Sequence, residues 1–167
     1  MREILFRGKS VIDNEWICGS LVKTDDNYNE PLSRRNIKQN IKICHYVAGD
    51  WGLGGWCFDE VMPETIGQFT GLSDNNGVKI FEGDVVLANG WKSNLKHDFS
   101  SARRFVSATI KDIYERTENR TKYEVYWQQC FSQFEFRSLE DSSINPSITE
   151  RELEVIGNIH DNPELLK

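Results

Sequence analysis

Long hydrophobic runs are absent from this 167-residue chain, and cysteine, histidine, proline and methionine are scarce, at four, three, four and two residues. Without an apolar stretch near ~20 residues, a membrane-spanning helix is excluded. Cys18, Cys44, Cys57 and Cys130 are too scattered for a paired zinc site or a compact disulfide framework, so they read as free, mostly buried thiols. No cofactor, metal or membrane partner is expected. The opening Met1-Arg2-Glu3-Ile4-Leu5-Phe6-Arg7 is charged and lacks the apolar core of an export signal, which predicts a cytoplasmic protein. What is present suffices for a folded chain: 38% hydrophobic and 11% aromatic residues exclude global disorder. A chain of this length removes roughly 70% of its unfolded surface from water, enough for a core without staples. One domain or two small lobes fit the length.

The net charge of −6 is unevenly spread. Residues 32–49 carry +4 from Arg34, Arg35, Lys38 and Lys42, and residues 91–122 carry another +4, leaving −14 for the remainder. The acids concentrate around Asp59, Glu60 and Glu64 and in the stretch from Glu135 to Glu164.

Alternation of apolar and polar residues dominates over a helical period, so strands are the default. Glu3 to Arg7, a turn at Asp13-Asn14 and a strand from Trp16 to about Val22 predict a hairpin. Thr24 to Pro31 reads as a loop, and residues 33–42 fit helix and strand equally. Ile66 to Thr70 and Val78 to Phe81 flank Asn76-Gly77, whose residues both tolerate the positive φ of a type I′ hairpin. Val85 to Ala88 is apolar on both sides and predicts a central strand. Asn89 to Arg104 reads as a polar excursion. Phe105 to Ile113 and Thr121 to Trp127 are expected to pair as a long hairpin, followed by a strand from Phe131 to Phe136. Glu154 to Ile159 predicts a last strand, and Asn162-Pro163-Glu164 the capped start of a helix of about one turn.

Two blocks carry a family resemblance. The first runs from Glu64 to Val86 and includes Ile66-Gly67-Gln68-Phe69-Thr70-Gly71 and Gly77-Val78-Lys79-Ile80-Phe81-Glu82-Gly83-Asp84. The second is Glu154-Val155-Ile156-Gly157-Asn158-Ile159-His160-Asp161-Asn162-Pro163-Glu164-Leu165-Leu166. Together with the Arg2-Glu3-Ile4-Leu5-Phe6-Arg7 opening they resemble the signature of the YopX family. The resemblance implies a phage- or prophage-encoded, cytoplasmic, mainly β protein: a small Src-homology-3-like barrel with additional antiparallel strands and at most short helices. Residues 1–63 are then an N-terminal β segment and 64–167 the barrel, with a segment of about 89–136 inserted. The resemblance brings no assigned activity and no catalytic residues. In the blocks, Gly71, Gly77, Gly83 and Gly157 mark turns or close backbone approach, and Asp74 and Asp84 suit carboxylates bonded to turn N–H groups.

Reactive constellations are thin. Gly52-Leu53-Gly54-Gly55 between Trp51 and Trp56 lacks the context of a phosphate loop and reads as a flexible turn joining two strands. Glu82 and Asp84 share a side of an extended chain, but a turn role fits them better than acid–base work. Cys44, His45 and Cys57 lack a fourth zinc ligand, and His160-Asp161 lacks a placed nucleophile. His97 has no partner in the pattern. No enzymatic activity is therefore expected. The chain reads as a protein-interaction or self-assembling β module, partnered by another protein or by its own copies. The alternative is nucleic-acid binding through residues 91–136. There Arg103, Arg104, Lys111, Arg116 and Arg120 would neutralise phosphates beside the rings of Tyr126 and Trp127. Tyr123, Val125 and Trp127 should share one face of their strand and Glu124 and Tyr126 the other.

Overall fold

A computed structural model describes residues 3–25, 39–49, 53–93, 114–117, 119–142, 144–146 and 152–167. Two compact units emerge, Met1–Gly71 and Leu72–Lys167.

In the first unit, β1 (Phe6–Lys9), β2 (Trp16–Asp25), β3 (Gln39–Val47), β4 (Gly55–Glu60) and β5 (Gly67–Ser73) run antiparallel in the order β4-β3-β2-β1-β5. The expected first hairpin is present, with Phe6 opposite Gly19 and Lys9 opposite Trp16. Its turn is built locally: Ser10 N–H donates to the Glu15 carbonyl at 2.9 Å, Ser10 Oγ accepts from Ile12 N–H at 3.1 Å, and Asn14 takes a left-handed φ of 63°. β2 extends to Asp25, past the expected end near Val22, because Thr24 and Asp25 pair with Asn40 and Gln39. That pairing also resolves the ambiguous 33–42 stretch in favour of strand from Gln39 onward. Residues 33–38 and most of the Thr24–Pro31 loop lie outside the described residues. Ile43, Val61 and Phe69 are buried, and Gly8 lies so close to Val61 that an added Cβ would stand 3.1 Å from the valine Cβ.

The second unit contains β6 (Lys79–Phe81), β7 (Asp84–Ala88), β8 (Gly90–Ser93), β9 (Tyr114–Arg116), β10 (Thr121–Gln128), β11 (Gln133–Ser138), β12 (Ile144–Pro146) and β13 (Glu154–Asn158). Four strands form the sheet β11-β10-β7-β13, and three form β12-β8-β9. β7 is central as expected. Val86, Ala88, Tyr123, Val125, Ile80 and Leu153 form the buried cluster, flanked by Leu72, Phe136, Ile144 and Val155. Ile80, Val86, Val125 and Leu153 each contribute roughly 1.5–3 kcal/mol by leaving water.

Several expectations need correction. The molecule is mainly β, but no sheet closes into a barrel among the described residues: β11 and β13 are the two ends of their sheet. β10 pairs with β7 over Thr121–Glu124 and with β11 over Tyr123–Gln128, while residues 105–113, the other half of the long hairpin expected with it, lie outside the described residues. The polar excursion contains a strand, since Trp91, Lys92 and Ser93 pair with Arg116, Glu115 and Tyr114. β11 begins at Gln133, after a turn in which Ser132 adopts φ 51°. At Asn76-Gly77 only the glycine has positive φ, 82°. The loop is therefore a longer turn closed by Asp74 N–H to the Val78 carbonyl at 2.8 Å, not a type I′ hairpin. The C-terminal turn is a short 3-10 helix, Pro163–Leu166, without a side-chain cap. Asn162 instead turns back, its Oδ1 accepting from Asn158 N–H at 3.3 Å. The cysteines are free but not buried: Cys18 and Cys130 are exposed, Cys44 and Cys57 half-buried.

Candidate interaction surfaces

Three of the described cations of the 91–122 segment, Lys92, Arg116 and Arg120, meet acids of their own chain. Arg116 bonds Glu152 at 2.5 Å, and Lys92 bonds Asp141 at 3.2 Å. Arg120 bonds Glu154 at 2.5 Å while its other terminal nitrogen donates to the Leu87 carbonyl at 2.8 Å and the Glu152 carbonyl at 3.0 Å. Arg120 thereby ties the start of β10 to β7 and to the approach to β13. Part of the charge asymmetry read from the sequence is thus resolved within the fold. Lys92, Arg116, Thr117, Asn119, Thr121 and Glu140 line an open cleft of about 430 Å³. Its two cations are committed to carboxylates, and Glu140 adds negative charge. Arg103, Arg104 and Lys111 lie outside the described residues.

The aromatic cluster divides as the alternation predicts. Tyr123 and Val125 are fully buried, and burial pushes the Tyr123 phenol pKa up. On the opposite face Tyr126 donates to Glu135 at 3.0 Å, which raises its phenol pKa, and Arg137 stacks over the Tyr126 ring while bonding Glu124 at 2.7 Å. Tyr126 is therefore held in a cross-strand network. Trp127 is 42% exposed and packs edge-on against Phe134, with 4.9 Å between centroids.

The turn roles of the glycines and aspartates are observed. Asp74 accepts from Asn76 and Val78 N–H at 2.8 and 2.9 Å, and Asp84 accepts from Phe81 N–H at 2.7 Å. Gly71 and Gly83 have φ of 91° and 82°, and a Cβ at Gly157 would collide with the Asn162 side chain. His160 and Asp161 sit in a turn organised by Asn158, whose Oδ1 accepts both of their backbone N–H groups at 2.9 Å. His45 bonds Asp59 at 2.5 Å across the β3–β4 ladder, with Cys57 opposite His45. Among the described residues no three side chains of metal-ligating type converge.

One exposed aromatic surface, on β3 and β4, is not singled out by the sequence. β4 alternates, so Trp56 and Phe58 share a face while Cys57 and Asp59 share the other. Trp56 pairs with Tyr46 and Phe58 with Cys44. Trp56 is 69% exposed, Phe58 55% and Tyr46 54%. Tyr46 and Trp56 meet edge to face at 5.5 Å and 73°. Gly54 permits this, because a Cβ there would strike the Tyr46 hydroxyl. The glycines read as a flexible turn thus seat an aromatic pair, though Trp51 and Gly52 lie outside the described residues. On the same sheet, Arg7 and Lys9 lie 4.5 and 5.6 Å from the Trp16 ring centre. β4 is the end strand, with no strand on its outer side among the described residues. The legible signal was the Trp-Cys-Phe-Asp alternation, which predicts two faces but does not say which one water keeps.

Comparison with solved structures finds a crystal structure of protein EF1440 from Enterococcus faecalis, 23% identical over 100% of both chains with a TM-score of 0.47. No curated protein matches. The model of the YopX protein family matches residues 5–167, and the chain belongs to that family.

Proposed function

We propose that this chain is a non-enzymatic interaction module of phage or prophage origin, acting in a bacterial cytoplasm through protein contacts at the β3–β4 aromatic edge. One observation carries the reading: Trp56 and Phe58 stand exposed on β4, the end strand of a sheet, together with Tyr46 on the neighbouring β3. Large contiguous apolar surface is costly to leave in water, and an end strand offers unpaired backbone groups to another chain. Exposed tryptophan and tyrosine are also the side chains that most often dominate contact energetics. The reactive groups, by contrast, are occupied in ways that serve the fold: His45 with Asp59, and Asp74 and Asp84 with turn N–H groups.

The test compares the wild-type chain with Trp56→Ser/Phe58→Ser, using Trp127→Ser as control, in association with itself and with proteins of the host. The reading expects complexes lost only in the double variant. Complexes that survive it and vanish in Trp127→Ser would transfer the surface to the β10–β11 hairpin and overturn the reading.

A further inference from the structure

The free edge of β4 has a definite hydrogen-bonding pattern. Val61 N–H donates to the Ile41 carbonyl at 3.1 Å, which marks Ile41 and Val61 as a bonded pair of the β3–β4 ladder. Bonded and non-bonded pairs alternate in an antiparallel ladder. Asp59, Cys57 and Gly55 therefore direct their backbone groups toward β3, and Trp56 and Phe58 direct theirs outward. Glu60 also faces outward, but its carbonyl accepts from Val11 N–H at 3.1 Å, which closes that end of the edge. The open stretch is short and centred on Cys57.

Resting on the reading of this edge as the contact surface, we propose that its occupant is β4 of a second copy, paired antiparallel about a two-fold axis at Cys57. In this register Trp56 and Phe58 of each copy exchange backbone hydrogen bonds with Phe58 and Trp56 of the other. The same alternation that points their backbones outward places all four rings on one face, with the two Tyr46 rings beside them. On the opposite face Cys57 lies against its own counterpart and Asp59 lies against Gly55, where an added Cβ meets nothing within 4 Å. No like charges face each other. Moving the axis to Phe58 sets Trp56 against Glu60 and Cys57 against Asp59. Moving it to Trp56 leaves Phe58 opposite Gly54. The register at Cys57 alone matches ring with ring and acid with open space. It is also isologous, the interface type that closes as a dimer. A nucleic-acid strand is a poorer occupant because Asp59 and Glu60 sit at the same edge and repel phosphate.

Each copy carries a net charge of −6, so the two repel at long range while the contact itself is apolar. Salt should therefore strengthen this dimer, whereas association between opposite charge patches would weaken with salt.

The test uses the full chain with Cys18, Cys44 and Cys130 replaced by serine, sedimented at low and high salt and then oxidised with diamide. Directly opposed residues of a non-bonded antiparallel pair have Cα atoms about 4.5 Å apart, within disulfide reach. The expected result is a dimer favoured by salt that converts to a Cys57–Cys57 disulfide, with Trp56→Asp weakening it about tenfold or more. Trp56 is exposed, so that variant should keep its circular dichroism, and a matched chain retaining only Cys130 should not cross-link. A dimer that Trp56→Asp abolishes but Cys57 does not cross-link overturns the register and leaves the contact surface standing. A monomer at every concentration and salt overturns self-pairing, while the association experiment above still decides the surface.

Discussion

Asp74 Oδ2 accepts the backbone N–H of Val155 at 3.1 Å, joining residues 81 positions apart. The same carboxylate holds the Asn76 and Val78 N–H groups of its own turn. Ile159 N–H donates to the Gly83 carbonyl at 2.9 Å, and β13 pairs with β7 from Glu154 opposite Leu87 to Asn158 opposite Asp84, with a bulge between Val155 and Gly157. The second block and the part of the first from Asp74 onward, distant in sequence, are one piece of structure within the second unit.

This arrangement predicts an acid-sensitive fold. Burial disfavours the ionised Asp74, but the N–H donors of Val78, Val155 and Asn76 outweigh it and hold the carboxyl below its ordinary value of 3.8. A depressed carboxyl stabilises the fold in full above the unfolded value, and that contribution is lost as pH falls through the folded value. Asp74→Asn should cost about 1–3 kcal/mol at neutral pH, because an amide group replaces one accepting oxygen. The gap between variant and wild type should narrow on acidification, as read by urea unfolding across pH.

Arg120 should matter more than Arg116. The Arg120 fork serves a carboxylate and two carbonyls at once, and a lysine lacks the geometry to replace it. Arg120→Lys should cost about 2 kcal/mol. Arg116 is half exposed and pairs with Glu152 alone, so Arg116→Ala should cost about 1 kcal/mol or less. Denaturant midpoints measure both.

Tyr123 is buried, and its hydroxyl makes no hydrogen bond of good geometry among the described residues, having only the Thr121 side chain near it. Tyr123→Phe should leave stability unchanged or raise it, because the hydroxyl is desolvated without return. Tyr123→Ala should cost about 3–5 kcal/mol through the cavity it opens. Thermal unfolding of the pair separates the contribution of the ring from that of the hydroxyl.

Labelled oligonucleotides test the nucleic-acid alternative. Arg116, Arg120 and Tyr126 are engaged with Glu152, Glu154 and Glu135, so Arg103, Arg104 and Lys111 would have to supply the contacts. The account expects no salt-sensitive anisotropy change at micromolar protein. A change abolished by Arg103→Glu/Arg104→Glu would restore that alternative.

Strands and turns were largely legible because alternation and turn chemistry are local. β7, the first hairpin and the opposed faces of β10 followed from the order of apolar residues. The carboxylate turns at Asp74 and Asp84 followed from residue type. Pairing partners were less legible, since β8–β9 and β10–β7 are decided by which apolar faces meet after the chain folds back. The candidate surface was hidden for a related reason. Trp56 and Phe58 have the same pattern as core residues of a strand, and what leaves them in water is that their face of the sheet, shared with Tyr46 on β3, is uncovered among the described residues. The open sheets in place of a barrel likewise depend on strand ends that no local pattern specifies.

The most direct measurement is amide hydrogen exchange at Trp56 and Phe58 as protein concentration rises. The account predicts that protection at these two amides increases with concentration and that high salt shifts the increase to lower concentration. Protection at Val125, in the core of the other unit, should stay constant. Rapid exchange at Trp56 and Phe58 that does not change with concentration would contradict a β4 edge filled by a second copy.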